Sequence, residues 1–174
     1  MIALKIIGCI LVIASSSGIG FFFSNEMRCR INDLKELRKL IALLRGDIRY
    51  ASTPLPEAIS TIARRHTGGF QPFFTSVSIK LHEFSGLTFS GIWKEAVEKE
   101  LLDTSLAKQD KLHLIQFGDN LGYLDKDMQL NTLDLYITQL EDEIVDLSKT
   151  AKEKAYLYNS LGIMAGIFIS IIML

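Results

Sequence analysis

The two ends of the chain constrain it most. Ala155 to Leu174 contains no charged residue, and Ile2 to Phe23 contains only Lys5. Each is about as long as the ~20 apolar residues an α-helix needs to cross a hydrocarbon core of roughly 30 Å. Charged residues make up 22% of the chain and the net charge is −1, so the apolar excess is confined to these ends. The expected organisation is a transmembrane helix at 1–23, a helical domain at 24–154 and a second transmembrane helix at 155–174. Lys5 sits in the first turns, where its stem can carry the ammonium to the headgroups. In the last segment the Leu and Ile side chains each favour insertion by about 0.3–0.6 kcal/mol, which offsets Asn159 and Ser160. Tyr156 and Tyr158 suit the interfacial aromatic belt. A cleaved signal peptide would use the small residues Ala14 to Ser17, but Ile19 to Phe23 continue the apolar run past them. Ile6-Ile7-Gly8-Cys9 resembles a lipobox, yet the apolar run follows Cys9 instead of leading to it.

Small residues in both segments fall at helical spacing. Gly162, Gly166 and Ser170 share one face, and Ala14 and Gly18 form a similar pair. Without side chains in the way, another helix can approach closely there. Pairing with the chain's own other span and pairing with another protein are both allowed. Two spans put both termini on one side. Arg28, Arg30, Lys35, Arg38 and Lys39 follow the first segment, and Lys149, Lys152 and Lys154 precede the second. The positive-inside rule therefore places the middle in the cytoplasm. Cys9 and Cys29 would lie roughly 30 Å apart on one helix, too far for a disulfide.

The middle reads as helices broken by Gly and Pro. Met27, Ile31, Leu34, Leu37, Ile41, Leu44 and Ile48 step by three and four, close to a coiled-coil seam running from the first span to about Ser52. Thr53 is expected to cap a second helix with Pro54 at its first position. Leu55, Ala58, Ile59 and Ile62 face inward, and Gly68-Gly69 stops it. A third helix, about 71–84, turns Phe73, Phe74, Val77, Leu81 and Phe84 inward. Ser90 is expected to cap a fourth, with Ile92, Trp93, Ala96, Val97 and Leu101 inward. A fifth, about 106–121, carries Leu114 and Phe117 and ends at Gly122. The sixth starts near Asp125, and Leu130, Leu133, Ile137, Leu140, Ile144, Leu147 and Ala151 alternate steps of three and four into the second span. Two long helices of about 40 Å each beyond the spans can pair along these seams, with four shorter helices between them. The predicted fold is all-α: a six-helix bundle on a two-helix transmembrane hairpin.

The chain offers little for chemistry. His66, His82 and His113 fall on three different helices with no metal-ligand spacing, and His66 and His82 read as surface residues. Asp119, Asn120, Asp125 and Asp127 lack EF-hand order. No phosphate-binding or nucleophile-elbow motif occurs. No catalytic residue, cofactor or metal site is expected, and a near-neutral charge gives no field for nucleic acid. Two charged spots remain as partner or lipid contacts: Arg64 and Arg65, together with Lys80, and Glu141 with Asp142 beside the sixth-helix seam.

Several segments in order carry a family resemblance: Thr53-Pro54-Leu55-Pro56-Glu57-Ala58, Trp93 with Ala96, Phe117 to Gly122, Asp125 with Gln129, and Ser160-Leu161-Gly162 with Gly166. Over essentially the whole chain they resemble bacterial stage III sporulation protein AB. The resemblance implies a mother-cell membrane protein of the channel-like complex around the forespore. It also implies a middle domain similar to the F-type platform protein of type II secretion and type IV pilus systems. The expected function is then a non-enzymatic membrane platform that anchors a cytoplasmic ATPase, stage III sporulation protein AA, and neighbouring stage III membrane proteins, with a homo-oligomer allowed. The matched positions read as structural, with Gly118 and Gly122 permitting a tight helix end. An adaptor that signals through paired stalk helices is the alternative reading.

Overall fold

A chain with seams at three-and-four spacing buries them only by laying helix on helix, and the computed structural model does so with six helices among its described residues. They are α1 (Ile2–Tyr50), α2 (Leu55–Arg65), α3 (Gln71–His82), α4 (Phe89–Glu100), α5 (Lys108–Leu121) and α6 (Lys126–Met173), and no strand occurs among the described residues. The structure describes the backbone of residues 2–83, 86–122 and 125–173, and side chains from 25 to 154 within these, with Leu157 and Met164. Phe84, predicted inward, lies outside them.

The chain divides into two compact units. Met1–Ile31 and Val145–Leu174, the two ends, make one, and Asn32–Ile144 makes the other. Among the described residues no helix is long and apolar enough to cross a membrane. Of the predicted spans, 1–23 and 155–174, the described backbone at 2–23 and 155–173 is helical, and the side chains, apart from exposed Leu157 and Met164, lie outside the described residues. So do the predicted packing residues Ala14, Gly18, Gly162, Gly166 and Ser170.

In the larger unit the seam of α1 is the core. Leu34, Leu37, Ile41, Leu44 and Ile48 are buried as their spacing predicts, and Leu40 joins them. On α6, Leu133 and Leu140 are buried, Ile137 is half-buried, and Tyr136 adds a buried aromatic that the heptad omits. The two helices run antiparallel, tied by Arg38 to Glu141, Arg45 to Asp134, and Lys126 Nζ to Ser52 Oγ at 2.9 Å. The short helices pack in sequence, α2 on α3, α3 on α4 and α4 on α5.

Helix ends differ from expectation in three places. Thr53 does not cap α2. The helix begins at Leu55 after Pro54, and the Thr53 N–H bonds back to the Asp47 carbonyl at 3.2 Å across Ser52, whose φ is 50°. Pro56 removes the third-position amide that a Thr53 cap would serve. Thr88, not Ser90, caps α4, accepting from the Gly91 N–H at 3.2 Å, while the Ser90 hydroxyl donates to Asp119. Helix α2 ends at Arg65, before Gly68-Gly69. Asp125 caps α6 as expected, accepting from the Met128 N–H at 2.9 Å.

Candidate packing and docking sites

The aromatic positions of α3, α4 and α5 meet in one cluster. Trp93 on α4 is fully buried, edge-on to Phe73 at 4.8 Å and to Phe117 at 5.7 Å, and stacked with Phe89 at 5.4 Å. Its indole Nε1 donates to the Leu114 carbonyl at 2.8 Å, which satisfies the only polar atom the ring buries. The ring lies flat against the backbone of α5 at Gly118. A Cβ there would stand 2.5 Å from Trp93 Cγ and 2.7 Å from Nε1. Gly122 does the same for Phe89, with a Cβ 2.8 Å from the Phe89 Cβ. Gly122 is the C-cap of α5, as expected, whereas the helix-end role expected of Gly118 is corrected. Gly118 sits inside α5, Gly122 has an ordinary φ of −75°, and each is small because an aromatic ring lies on it.

Phe117 continues the cluster to α6, stacked on Tyr136 at 4.4 Å with 15° between planes. The Tyr136 hydroxyl is buried without a hydrogen-bond partner, and burial, with buried Asp110 nearby, pushes its phenol well above the usual range. A buried unsatisfied hydroxyl costs about 1–3 kcal/mol. Tyr136→Phe is therefore expected to leave stability unchanged or raise it by about 1 kcal/mol in chemical denaturation. A comparable loss would mean that the hydroxyl is bonded.

Charged side chains mostly tie elements together. Asp33 on α1 accepts the Ser105 N–H at 2.6 Å from the α4–α5 loop, and burial raises its pKa against that bond. Lys111 Nζ donates to the Leu101 carbonyl at 2.7 Å in the same loop. His66, expected at the surface, is half-buried and 2.7 Å from Glu36 Oε1. A Cβ on Gly68 would lie 2.7 Å from His66 Nε2, so this glycine leaves room for the pair. Lys80, grouped with Arg64 and Arg65 by its charge, has an acidic partner of its own. It pairs with Glu95 at 2.8 Å, as does Lys99, bridging α3 and α4. Hydrogen bonds from Lys80 and then Lys99 hold the Glu95 carboxyl at about 2, below its ordinary 4.5. Its folded pKa is depressed, so its contribution is complete above about pH 4.5 and lost as pH falls through about 2. In acid titration the stability gap between wild type and Glu95→Gln should close across that window. A gap that persists at pH 2 would contradict the bridge.

Of the two predicted docking spots, Arg64 and Arg65 are exposed in the last turn of α2, where positive charge also suits the helix dipole. Glu141 is exposed but engaged by Arg38, so α1 supplies its basic partner, and Asp142 is exposed beside it. Asp119 and Asp125 are held by Ser90 and by the α6 cap. Among the described residues no group of His, Cys, Asp or Glu is placed to hold a metal ion.

The described residues thus define an all-helical scaffold built around an aromatic cluster and a pair of ion-linked long helices. The profile described as Stage III sporulation protein AB matches residues 5–174, and the chain belongs to that family. It is 26% identical to Stage III sporulation protein AB of Bacillus subtilis (strain 168), over 98% of this chain and 99% of that protein. A solved structure of Stage III sporulation protein AB (SpoIIIAB) superposes with a TM-score of 0.64 at 27% identity, covering 71% of this chain and 97% of that one.

Proposed function

We propose that this protein is a non-enzymatic membrane platform of a stage III sporulation complex. Segments 1–23 and 155–174 form a two-span hairpin, and the middle domain stands in the cytoplasm, where it anchors the sporulation ATPase, stage III sporulation protein AA, beside other stage III proteins. The observation that carries this reading is the joining of the two apolar segments, the first with only Lys5 and the second without charge, into one compact unit. Leu157 and Met164, the two described side chains of the second segment, are apolar and exposed, as lipid-facing residues would be. The family match extends through both ends.

Co-purification of the full-length protein with the ATPase from detergent-solubilised membranes tests the platform role. Retention of the ATPase is expected. Its absence, with both proteins present and folded, would remove the anchoring function. Within the hairpin, Gly166→Leu places a large side chain on the small-residue face. It is expected to lower recovery of the complex about tenfold, one decade for 1.4 kcal/mol of lost packing, while the circular dichroism of the protein stays the same. Undiminished recovery would dismiss Gly166 as a packing residue.

A further inference from the structure

Behind the buried seams, α1 and α6 each carry a second, outward stripe in the unit 32–144. On α1 the exposed positions are Asn32, Lys35, Lys39, Ala42, Leu43, Arg49 and Tyr50. Every exposed charge there is basic, and the two large apolar side chains, Leu43 at 50% and Tyr50 at 81% exposure, lie two helical turns apart on one face. On α6 the outward stripe is Asp127, Asn131, Leu135, Thr138 and Asp142, all exposed, with Met128 alongside. Its charges are acidic, and its apolar members, Leu135 at 61% and Met128 at 52%, are again two turns apart. The acid of Glu141 is already taken by Arg38, so Asp127 and Asp142 are the carboxylates that face outward.

The register within the chain sets these stripes at matching heights. Arg38 and Arg45 on α1, and Ser52 just past its end, meet Glu141, Asp134 and Lys126 backward along α6. Leu43 is therefore level with Leu135, Tyr50 with Met128 and Asp127, and Lys35 with Asp142 to within one turn. A second copy placed alongside, at the same height and pointing the same way, would set basic against acidic and apolar against apolar along the whole stripe.

We propose that the outward face of α1 in one copy docks antiparallel on the outward face of α6 in the next. Leu43 meets Leu135, Tyr50 meets Met128, and Lys35 and Lys39 approach Asp142. Different surfaces meet, so the contact is head-to-tail about an axis parallel to the helices and builds a ring or a row. All copies keep one orientation, which is the arrangement that anchoring in a single membrane requires. The contact does not depend on the ATPase-anchoring role.

Oxidative crosslinking of the full-length protein in liposomes tests this, with Cys9→Ser and Cys29→Ser as the background. Leu43→Cys and Leu135→Cys in one chain are expected to give a ladder of covalent multimers under copper–phenanthroline. Two differently tagged chains, one with each cysteine, are expected to give only the mixed dimer. Lys35→Glu should lower the mixed-dimer yield about fivefold, the scale of a surface ion pair of ~1 kcal/mol, and Asp142→Lys on the opposing chain should restore it. All four positions are exposed, so folding is not at issue. Absence of crosslinks, dimers formed by either single-cysteine chain alone, or a yield indifferent to Lys35→Glu would each overturn the proposal.

Discussion

Trp93→Ala is expected to destabilise the protein by about 4 kcal/mol, within the range measured for removing a fully buried large aromatic. The ring touches Phe73, Phe74, Phe89 and Phe117 at centroid separations of 4.8 to 6.4 Å, so its removal opens a cavity that rings from α3, α4 and α5 all line. These side chains are held by their own backbones and cannot close the gap. Loss of the Nε1 bond to the Leu114 carbonyl adds to the cost. Thermal unfolding of the detergent-solubilised full-length protein, followed by far-ultraviolet circular dichroism, measures it. A loss under about 1 kcal/mol, less than a typical buried methyl-group series, would mean that the cluster does not hold the domain together.

Gly118→Ala adds one methyl group and is expected to cost about 2 kcal/mol. Two effects oppose each other. Alanine in place of glycine inside a helix stabilises by about 1 kcal/mol. Against it, the new Cβ would stand 2.5 Å from Trp93 Cγ and 2.7 Å from Nε1, and overpacking a rigid core costs about 1–3 kcal/mol or more. The neighbour is a ring wedged among other rings, not the free end of a flexible chain, so overpacking wins. The cause is separable: in a Trp93→Phe background the smaller ring should lower the cost of Gly118→Ala by about 1 kcal/mol or more, as coupling between contacting residues allows. Equal costs in both backgrounds would show that Trp93 is not what keeps position 118 a glycine.

These two positions also show how far the sequence could be read. Steps of three and four placed Leu37, Ile41, Leu44 and Leu133 in the core because a helix face is local geometry, fixed by 3.6 residues per turn. The same rule found Ile92, Trp93, Ala96 and Val97 on the inner face of α4. It could not say which ring lies on which backbone, so Gly118 read as a helix end, and Gly122, which does end α5, gave no sign of the Phe89 ring against it. Tyr136 escaped the heptad because it occupies the α5-facing flank of α6, opposite Phe117, and not the centre of the seam. The long-range polar links were equally hidden. Asp33 to Ser105, Glu36 to His66 and Arg38 to Glu141 join residues far apart in the chain, and nothing in local periodicity marks either partner. The partner of Lys80 was hidden for the same reason: Lys80 faces α4, where Glu95 and Lys99 complete a bridge. Family membership was legible because ordered short segments recur along the whole chain, and the match across residues 5–174 bears it out.

Leu102 offers the most direct test of the central claim. It is 72% exposed in the α4–α5 loop. Leu102→Cys, with Cys9→Ser and Cys29→Ser, gives one accessible thiol in the middle domain. In intact cells a membrane-impermeant maleimide should leave it unlabelled, and permeabilisation should expose it. Labelling in intact cells would place the domain on the other side of the membrane and rule out contact with a cytoplasmic ATPase.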